Sequence, residues 1–137
     1  MQDHHYFNTF GAGFLPAHLG LRVNEVAQGR VTGELEVQPH LLAPNGFLHA
    51  GTVVTLADTM CGYGCIAHLP DGAQSFTTIE LKSNFMGTAR TGLIDCTATA
   101  VHLGRTTQLW DAVVTDRTTG KTMALFRCTQ MVLYPKK

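Results

Sequence analysis

One almost wholly apolar stretch, from about His49 to His68, constrains the fold of this chain more than any other feature. It is longer than the roughly 3–10 residues of ordinary strands, so it predicts a buried helix. Gly62 and Gly64 lie inside it, and each costs about 1 kcal/mol relative to alanine in a helix interior. We expect close approach to another backbone to compensate for both. The helix is predicted to end at Leu69–Gly72, which contains proline and glycine.

The remainder of the chain has the alternating pattern of strands. Residues 31–37 alternate apolar with polar side chains, which predicts a strand with one wet face, and residues 21–26 can pair with it across Gln28-Gly29. Four more strands are predicted, over residues 75–85, 91–103, 106–115 and 121–133. We therefore expect one α+β domain over residues 1–137, with residues 1–18 as an N-terminal extension. In this fold an antiparallel sheet is wrapped around one long central helix.

Charge and hydropathy exclude several classes of protein. Ten basic and ten acidic side chains give a formal net charge of zero, which lacks the positive field typical of nucleic-acid binding. The longest apolar run, residues 51–69, is interrupted by threonines and Asp58 and is too polar to span a bilayer. Residues 1–6 lack the layout of a signal peptide. We therefore expect a cytoplasmic protein with no nucleic-acid partner and no membrane partner.

The four cysteines raise the question of disulfides and of a metal site. A chain of this length does not need disulfides, and a cytoplasmic setting would keep the thiols reduced. Cys61, Cys65 and His68 share one helical face, but their spacing matches no known zinc pattern. We interpret them as residues of a packed helix and expect no metal site.

Asp58 is the anomaly of the apolar helix. It lies too far inside to cap the helix, and aspartate is a poor interior helix residue. Carboxylates are also seldom buried without a reason. Two interpretations remain open. One is a paired or solvent-facing aspartate, and the other is a carboxylate whose pKa is raised by burial so that it acts as base or nucleophile.

The loop from Asn45 to Gly51 leads into the helix N-terminus, where backbone amides are unpaired and the helix dipole is positive. Because Ala50 and Gly51 are small, a substrate carbonyl can approach these amides as an oxyanion site. Asp58 lies eight residues after Ala50, about 12 Å along a helix axis. One carbonyl cannot contact both groups of one chain. If both act on one substrate, the site requires two copies, so we expect an obligate homodimer with composite sites.

A motif at the helix start resembles the hotdog-fold thioesterases, in particular the acyl-CoA thioesterases of the phenylacetate pathway. The family pattern is Gly, two residues, His-Gly-Gly, and then a helix that contains Leu-x-Asp. The corresponding residues are Gly46-Phe47-Leu48-His49-Ala50-Gly51 and Leu56-Ala57-Asp58. The strand order is similar from about residue 19 to residue 133. The resemblance implies the hotdog fold and an assembly of dimers into a homotetramer.

The same resemblance implies residue roles. Asp58 would be the catalytic carboxylate. The amide of Ala50, with that of Gly51, would polarise the thioester carbonyl. His49 would shape the loop or contact the thioester region, and Thr78 stands where some relatives position the attacking water.

Two positions depart from the family pattern. Ala50 replaces the first glycine after the histidine, which keeps a backbone donor but makes the approach tighter. Many relatives have Asn or Gln six residues before the histidine, where this chain has Ala43. Asn45 lies two residues later and is a candidate for that role.

Basic side chains are candidates for holding the phosphates of coenzyme A. We single out Lys82, Arg90 and Arg105, the last in a Gly104-Arg105 pair that resembles one common in the family.

The expected activity is hydrolysis of a small or medium acyl-CoA to free acid and CoA, with Asp58 as general base or nucleophile. No cofactor is expected beyond the coenzyme A of the substrate. Two alternatives remain. One is an enoyl-CoA hydratase of the same fold, a group that carries His where this chain has Tyr63. The other is a non-catalytic acyl-CoA-binding protein.

Overall fold

The computed structural model describes all 137 residues and contains one six-stranded antiparallel sheet. Its strands are β1 (Arg22–Ala27), β2 (Arg30–Glu36), β3 (Ser75–Phe85), β4 (Leu93–Leu103), β5 (Thr107–Asp116) and β6 (Thr122–Leu133). Their spatial order is β1-β2-β4-β5-β6-β3, so β3 forms the edge opposite β1. The helices are α1 (His4–Phe10), α2 (Leu15–Leu19) and α3 (Ala50–Ala67), with a 3-10 turn at Pro39–Leu41. The predicted α+β fold is confirmed, with element ends that differ by two residues or fewer.

Helix α3 packs across one face of the sheet and forms the centre of the core. It contacts all six strands, and Leu56, Met60 and Cys61 on it are fully buried. Burial on nearly every side explains why the sequence of this helix is apolar throughout rather than along one stripe. None of the helices has the length and apolarity needed to cross a membrane.

His68 joins the end of α3 to the turn between β1 and β2. Its Nε2 accepts the backbone N–H of Gly29 at 2.8 Å, and its Nδ1 lies 2.7 Å from the carbonyl oxygen of Gly64. The second contact requires a proton on Nδ1, which assigns the neutral tautomer. With both ring nitrogens engaged, His68 fixes the helix relative to the first hairpin.

The two glycines of α3 lie against aromatic rings. A Cβ at Gly64 would lie 2.6 Å from the Trp110 ring, and one at Gly62 would lie 3.1 Å from the Phe76 ring. The expectation that another backbone approaches these glycines is therefore wrong. Flat side chains from β5 and β3 occupy the space instead, and Trp110 is held in place because its indole N–H donates to Gln108 Oε1 at 2.8 Å.

Alternation along the strands places one face of the sheet on α3. Val31 and Leu35 in β2 are fully buried, as the pattern predicts. Strand β3 departs from the alternation because a bulge lies between Thr78 and Glu80. The bulge leaves Ile79 53% exposed, although the sequence pattern places it among the apolar residues of one face.

Residues 4–19 fold back onto the first hairpin and the helix. Phe7 of α1 is fully buried and belongs to the main core. Asn8 donates its amide to the Val23 carbonyl at 2.9 Å and accepts the Val23 N–H at 2.8 Å. These two bonds fix α1 on the edge strand β1.

Candidate active site

Asp58 lies on α3 at a half-buried position. Its Oδ1 is buried and has no hydrogen-bond partner. Removal of the carboxylate from water disfavours its charged form, so burial raises the pKa of Asp58 above the ordinary value of 3.8. A buried and unpaired carboxylate is costly to a fold unless it has another use. Of the interpretations left open by the sequence, pairing of Oδ1 with another residue of the chain does not occur.

Asp58 lines an apolar cleft of about 470 Å³. One face of α3 forms the floor, the segment between α1 and α2 forms one wall, and the start of β3 forms the other. The lining residues are Phe10, Gly11, Phe14, Pro16, Asp58, Thr59, Gly62, Tyr63, Ile66, Ser75 and Phe76. The size is within the range of small-molecule sites, and a few polar groups in a mostly apolar setting are their usual composition.

The first turn of α3 carries the candidate oxyanion donors. Nδ1 of His49 accepts the N–H of Gly51 at 2.7 Å, and the carbonyl of His49 accepts the amides of Thr52 and Val53. The amide of Ala50 donates to no group of the chain, and Ala50 is exposed. The two predicted donors therefore differ. The Gly51 N–H already donates to His49, whereas the Ala50 N–H is free to donate to a ligand.

Asp58 and the amide of Ala50 stand at different levels of one helix. Eight residues separate them, so they are about 12 Å apart along the axis. Within one chain the two groups cannot contact the same carbonyl, whose oxygen and carbon are about 1.2 Å apart.

The chain is similar to known proteins in both sequence and structure. Residues 45–123, more than half of the chain, match the family described as "Thioesterase superfamily". The chain belongs to this superfamily. The match includes both the first turn of α3 and Asp58, and the predicted resemblance to thioesterases is confirmed.

Individual relatives of the superfamily agree over most of the chain. The 1,4-dihydroxy-2-naphthoyl-CoA hydrolase of Listeria monocytogenes is 31% identical over 119 residues, 87% of this chain and 95% of the relative. The crystal structure of a mutant thioesterase from Pseudomonas aeruginosa has a TM-score of 0.91 at 26% identity and covers 97% of this chain and 95% of its own. A thioesterase family protein from Silicibacter pomeroyi has a TM-score of 0.84 at 30% identity, covering 93% and 95%. The hotdog fold is confirmed, and the chain is a thioester hydrolase.

The other predicted site residues of this thioesterase lie apart from Asp58. Asn45 Oδ1 accepts the N–H of Phe47 at 3.2 Å, which closes a turn in the loop before α3. The Thr78 hydroxyl donates to Gln130 Oε1 at 2.7 Å, and Gln130 is fully buried. Neither Asn45 nor Thr78 lines the Asp58 cleft of the same chain.

The three basic residues predicted for coenzyme A lie on different surfaces. The guanidinium of Arg90 stacks over the Phe47 ring at 4.5 Å, beside the loop that leads into α3. Lys82 lines a shallow depression on β3 together with Arg127, and Arg105 follows β4 in the turn before β5. Of the three, Arg90 is the one that contacts the loop leading into α3.

Sequence reasoning missed the aromatic residues of the N-terminal segment. Phe10 and Phe14 line the cleft of Asp58, and Phe7 supports them from the core. The signal was present, since Phe7, Phe10 and Phe14 are spaced as an apolar helical face. It was too short to stand out among residues with no clear period.

Proposed function

We propose that this thioesterase hydrolyses a small or medium acyl-CoA to the free acid and CoA, with Asp58 acting on the thioester. The observation that carries the proposal is the half-buried carboxylate whose Oδ1 has no partner and which lines an apolar cleft. Such a group has the basicity of a raised pKa and direct access to a bound ligand. The name of the Listeria monocytogenes relative, a CoA thioester hydrolase, supports coenzyme A as the thiol.

Two routes satisfy the chemistry. As a general base, Asp58 accepts a proton from water while the water oxygen bonds to the thioester carbon. The tetrahedral intermediate then expels the CoA thiolate as the C–S bond breaks, and the thiolate takes a proton. As a nucleophile, the Asp58 carboxylate bonds to the carbonyl carbon and expels the same thiolate. Water then hydrolyses the mixed anhydride.

In both routes a negative charge develops on the carbonyl oxygen. The unpaired N–H of Ala50, at the positive end of the α3 dipole, is suited to stabilise that charge. Because one chain holds Asp58 and Ala50 about 12 Å apart, the proposal assigns the donor to Ala50 of the partner subunit. Arg90, beside the same loop, would hold a phosphate of coenzyme A.

A homodimer has a suitable edge on which to form. Strand β3 is an eleven-residue edge strand that pairs only with β6. It exposes Ile79, Leu81 and Phe85, and an apolar unpaired edge is a site for association between chains. Val113 and Leu125 are also exposed and lie opposite each other on β5 and β6, which supports further assembly of dimers into a tetramer.

The hydratase alternative finds no support at position 63. Tyr63 stacks on Phe7 with ring centroids 4.7 Å apart, and burial raises the pKa of Tyr63 above its ordinary value of 10.0. A phenol that remains protonated in this setting does not replace the histidine base of a hydratase.

The test of Asp58 is release of free thiol from a panel of acyl-CoA thioesters. Asp58→Asn keeps the shape of the side chain but removes the base, so we expect kcat to fall by at least about 10²-fold. Asp71→Asn is the matched control, because Asp71 is exposed in the turn after α3. Unchanged turnover by Asp58→Asn, with an unchanged circular dichroism spectrum, would remove Asp58 from the mechanism.

The composite site is tested by mixing two inactive chains. Ala50→Pro deletes one N–H at the first position of α3, where proline is well tolerated, and the extended ψ of 133° at His49 suits a residue before proline. A 1:1 mixture with Asp58→Asn places one intact site in each mixed dimer and should recover about a quarter of wild-type activity. A mixture that stays inactive after subunit exchange would show that the two groups do not act together across an interface.

A further inference from the structure

The segment between α1 and α2 forms one wall of the Asp58 cleft. Phe10 and Phe14 both line the cleft, and their rings are 49% and 69% exposed. Exposed aromatic rings are costly unless a ligand or partner covers them. They belong to the N-terminal extension and not to the central helix and sheet.

This wall is anchored and does not hang free. The Phe10 ring packs edge-on against Tyr63 with centroids 6.1 Å apart. A Cβ at Gly11 would lie 2.7 Å from the Tyr63 hydroxyl, so only glycine allows the chain to pass so close to α3. Phe7 and Asn8, on the preceding turn of α1, are fixed by the core and by β1.

The floor of the cleft is open because of one glycine. Asp58, Gly62 and Ile66 follow one another at intervals of four residues and so lie on one face of α3. At Gly62 there is no side chain between the carboxylate and the far end of the cleft, and a Cβ there would come within 3.1 Å of the Phe76 ring. Next to Asp58 the cleft is therefore bounded at this level by the Phe76 ring and not by a side chain of α3.

The residues that one chain contributes to the cleft offer no cation to an anionic acyl group. Apart from Asp58, the only titratable side chain that lines the cleft is Tyr63, and no Lys, Arg or His is present. An acyl group that carries a second carboxylate would have to be desolvated beside Asp58 without a cation to pair with it.

We infer that Phe10, Phe14 and Gly62 determine the acyl specificity of this thioesterase, and that the cleft takes an uncharged hydrocarbon acyl group larger than acetyl. This rests on the proposed function, because the thioester carbonyl must lie at Asp58 for the acyl group to extend along α3. Phe10 and Phe14 cover one side of the acyl group, and Gly62 allows the Phe76 ring to lie back against α3 on the other side. The residues select the substrate and take no part in bond making.

The test compares kcat/KM for acetyl-, hexanoyl-, benzoyl- and succinyl-CoA. For wild type we expect kcat/KM for hexanoyl- or benzoyl-CoA to exceed kcat/KM for acetyl- and succinyl-CoA by about tenfold or more. Each methylene bound in an apolar pocket changes kcat/KM on this scale. Hydrolysis of none of the four would count against the proposed function itself. Equal hydrolysis of all four would leave the proposed function standing and overturn the inference.

Variants then assign the effect to residues. Phe10→Ala and Phe14→Ala should each lower the ratio of hexanoyl- to acetyl-CoA kcat/KM by about fivefold or more, while Phe10→Leu should retain most of it. Gly62→Ala should lower kcat/KM for hexanoyl- and benzoyl-CoA more than kcat/KM for acetyl-CoA. Leu15→Ala is the control, because Leu15 is exposed in the same segment but does not line the cleft. Ratios unchanged in Phe14→Ala, whose exposed ring is not needed for folding, and in Gly62→Ala would refute the inference.

Discussion

At the scale of one residue, Asp58 is a carboxylate whose burial opposes stability. The sequence singles it out because a carboxylate inside an apolar helix is visible without a structure. What no local pattern reveals is whether a distant residue pairs with it, and here its Oδ1 has no partner. The predicted roles of His49, Ala50 and Gly51 are also refined only by the structure, because the His49 side chain turns back onto one of the two amides.

The raised pKa of Asp58 leads to a prediction about stability and pH. The folded chain holds the Asp58 proton more tightly than the unfolded chain, so stability falls as pH rises from 3.8 through the folded pKa. Asp58→Asn lacks this penalty. We expect its melting temperature to exceed that of wild type by a few degrees at pH 7 and to match it near pH 3. Calorimetry at both pH values measures the difference in melting temperature between Asp58→Asn and wild type. A melting temperature of the variant below that of wild type at pH 7 would contradict the prediction.

The same group should control the pH dependence of activity. Under either route Asp58 must be ionised, so kcat/KM should decline on the acid side with a midpoint above pH 3.8. A pH–rate profile measured with a fixed acyl-CoA locates that midpoint. A profile that is flat down to pH 4, with the protein still folded, would point to another base.

At the scale of elements, the fit of α3 against the sheet depends on contacts far apart in sequence. The length of the apolar run predicts the helix, and the proline and glycine of Leu69–Gly72 predict its end, because those signals are local. The partners of Gly62 and Gly64 are not predictable in this way, since Phe76 and Trp110 come from strands that follow later in the chain. The bulge between Thr78 and Glu80 is hidden for the same reason. It depends on the register with β6 and leaves the local alternation looking regular.

Gly64 provides a prediction at this scale. Gly64→Ala would place a Cβ 2.6 Å from the fully buried Trp110 ring. Overpacking of this kind costs about 1–3 kcal/mol, more than the gain in helix propensity of about 1 kcal/mol. Urea unfolding should show the loss. Gly87→Ala is the control, because a Cβ there meets neighbours only at 3.5 Å or more.

At the scale of the whole molecule, the sequence predicts the fold but not how the N-terminal segment packs. The α+β fold with a sheet around one helix follows from the order of two strands, a long apolar helix and four strands, whereas the hotdog fold is implied by the motif at the start of that helix. The place of Phe7 in the main core could not be predicted, because α1 has only seven residues and shows no sustained period. The proposed dimer rests on a distance argument along α3 and on an unpaired edge strand.

The dimer can be tested at that edge. Leu81 in β3 is 43% exposed, and Leu81→Lys would place a charge within an apolar interface. We expect sedimentation velocity to show a monomer and thiol release to be lost with the dimer. Val101→Lys, at a similarly exposed position in β4, should leave both unchanged. An active monomer would rule out composite sites.

The anchored N-terminal wall lies outside the main core of the fold. Phe10, Gly11, Phe14 and Pro16 line the cleft, and none of these four residues belongs to the main core around α3. Substrate preference can therefore drift through changes in a short stretch that spare the scaffold. Exchange of this stretch between related proteins would be a compact way to transplant selectivity without redesigning the catalytic machinery.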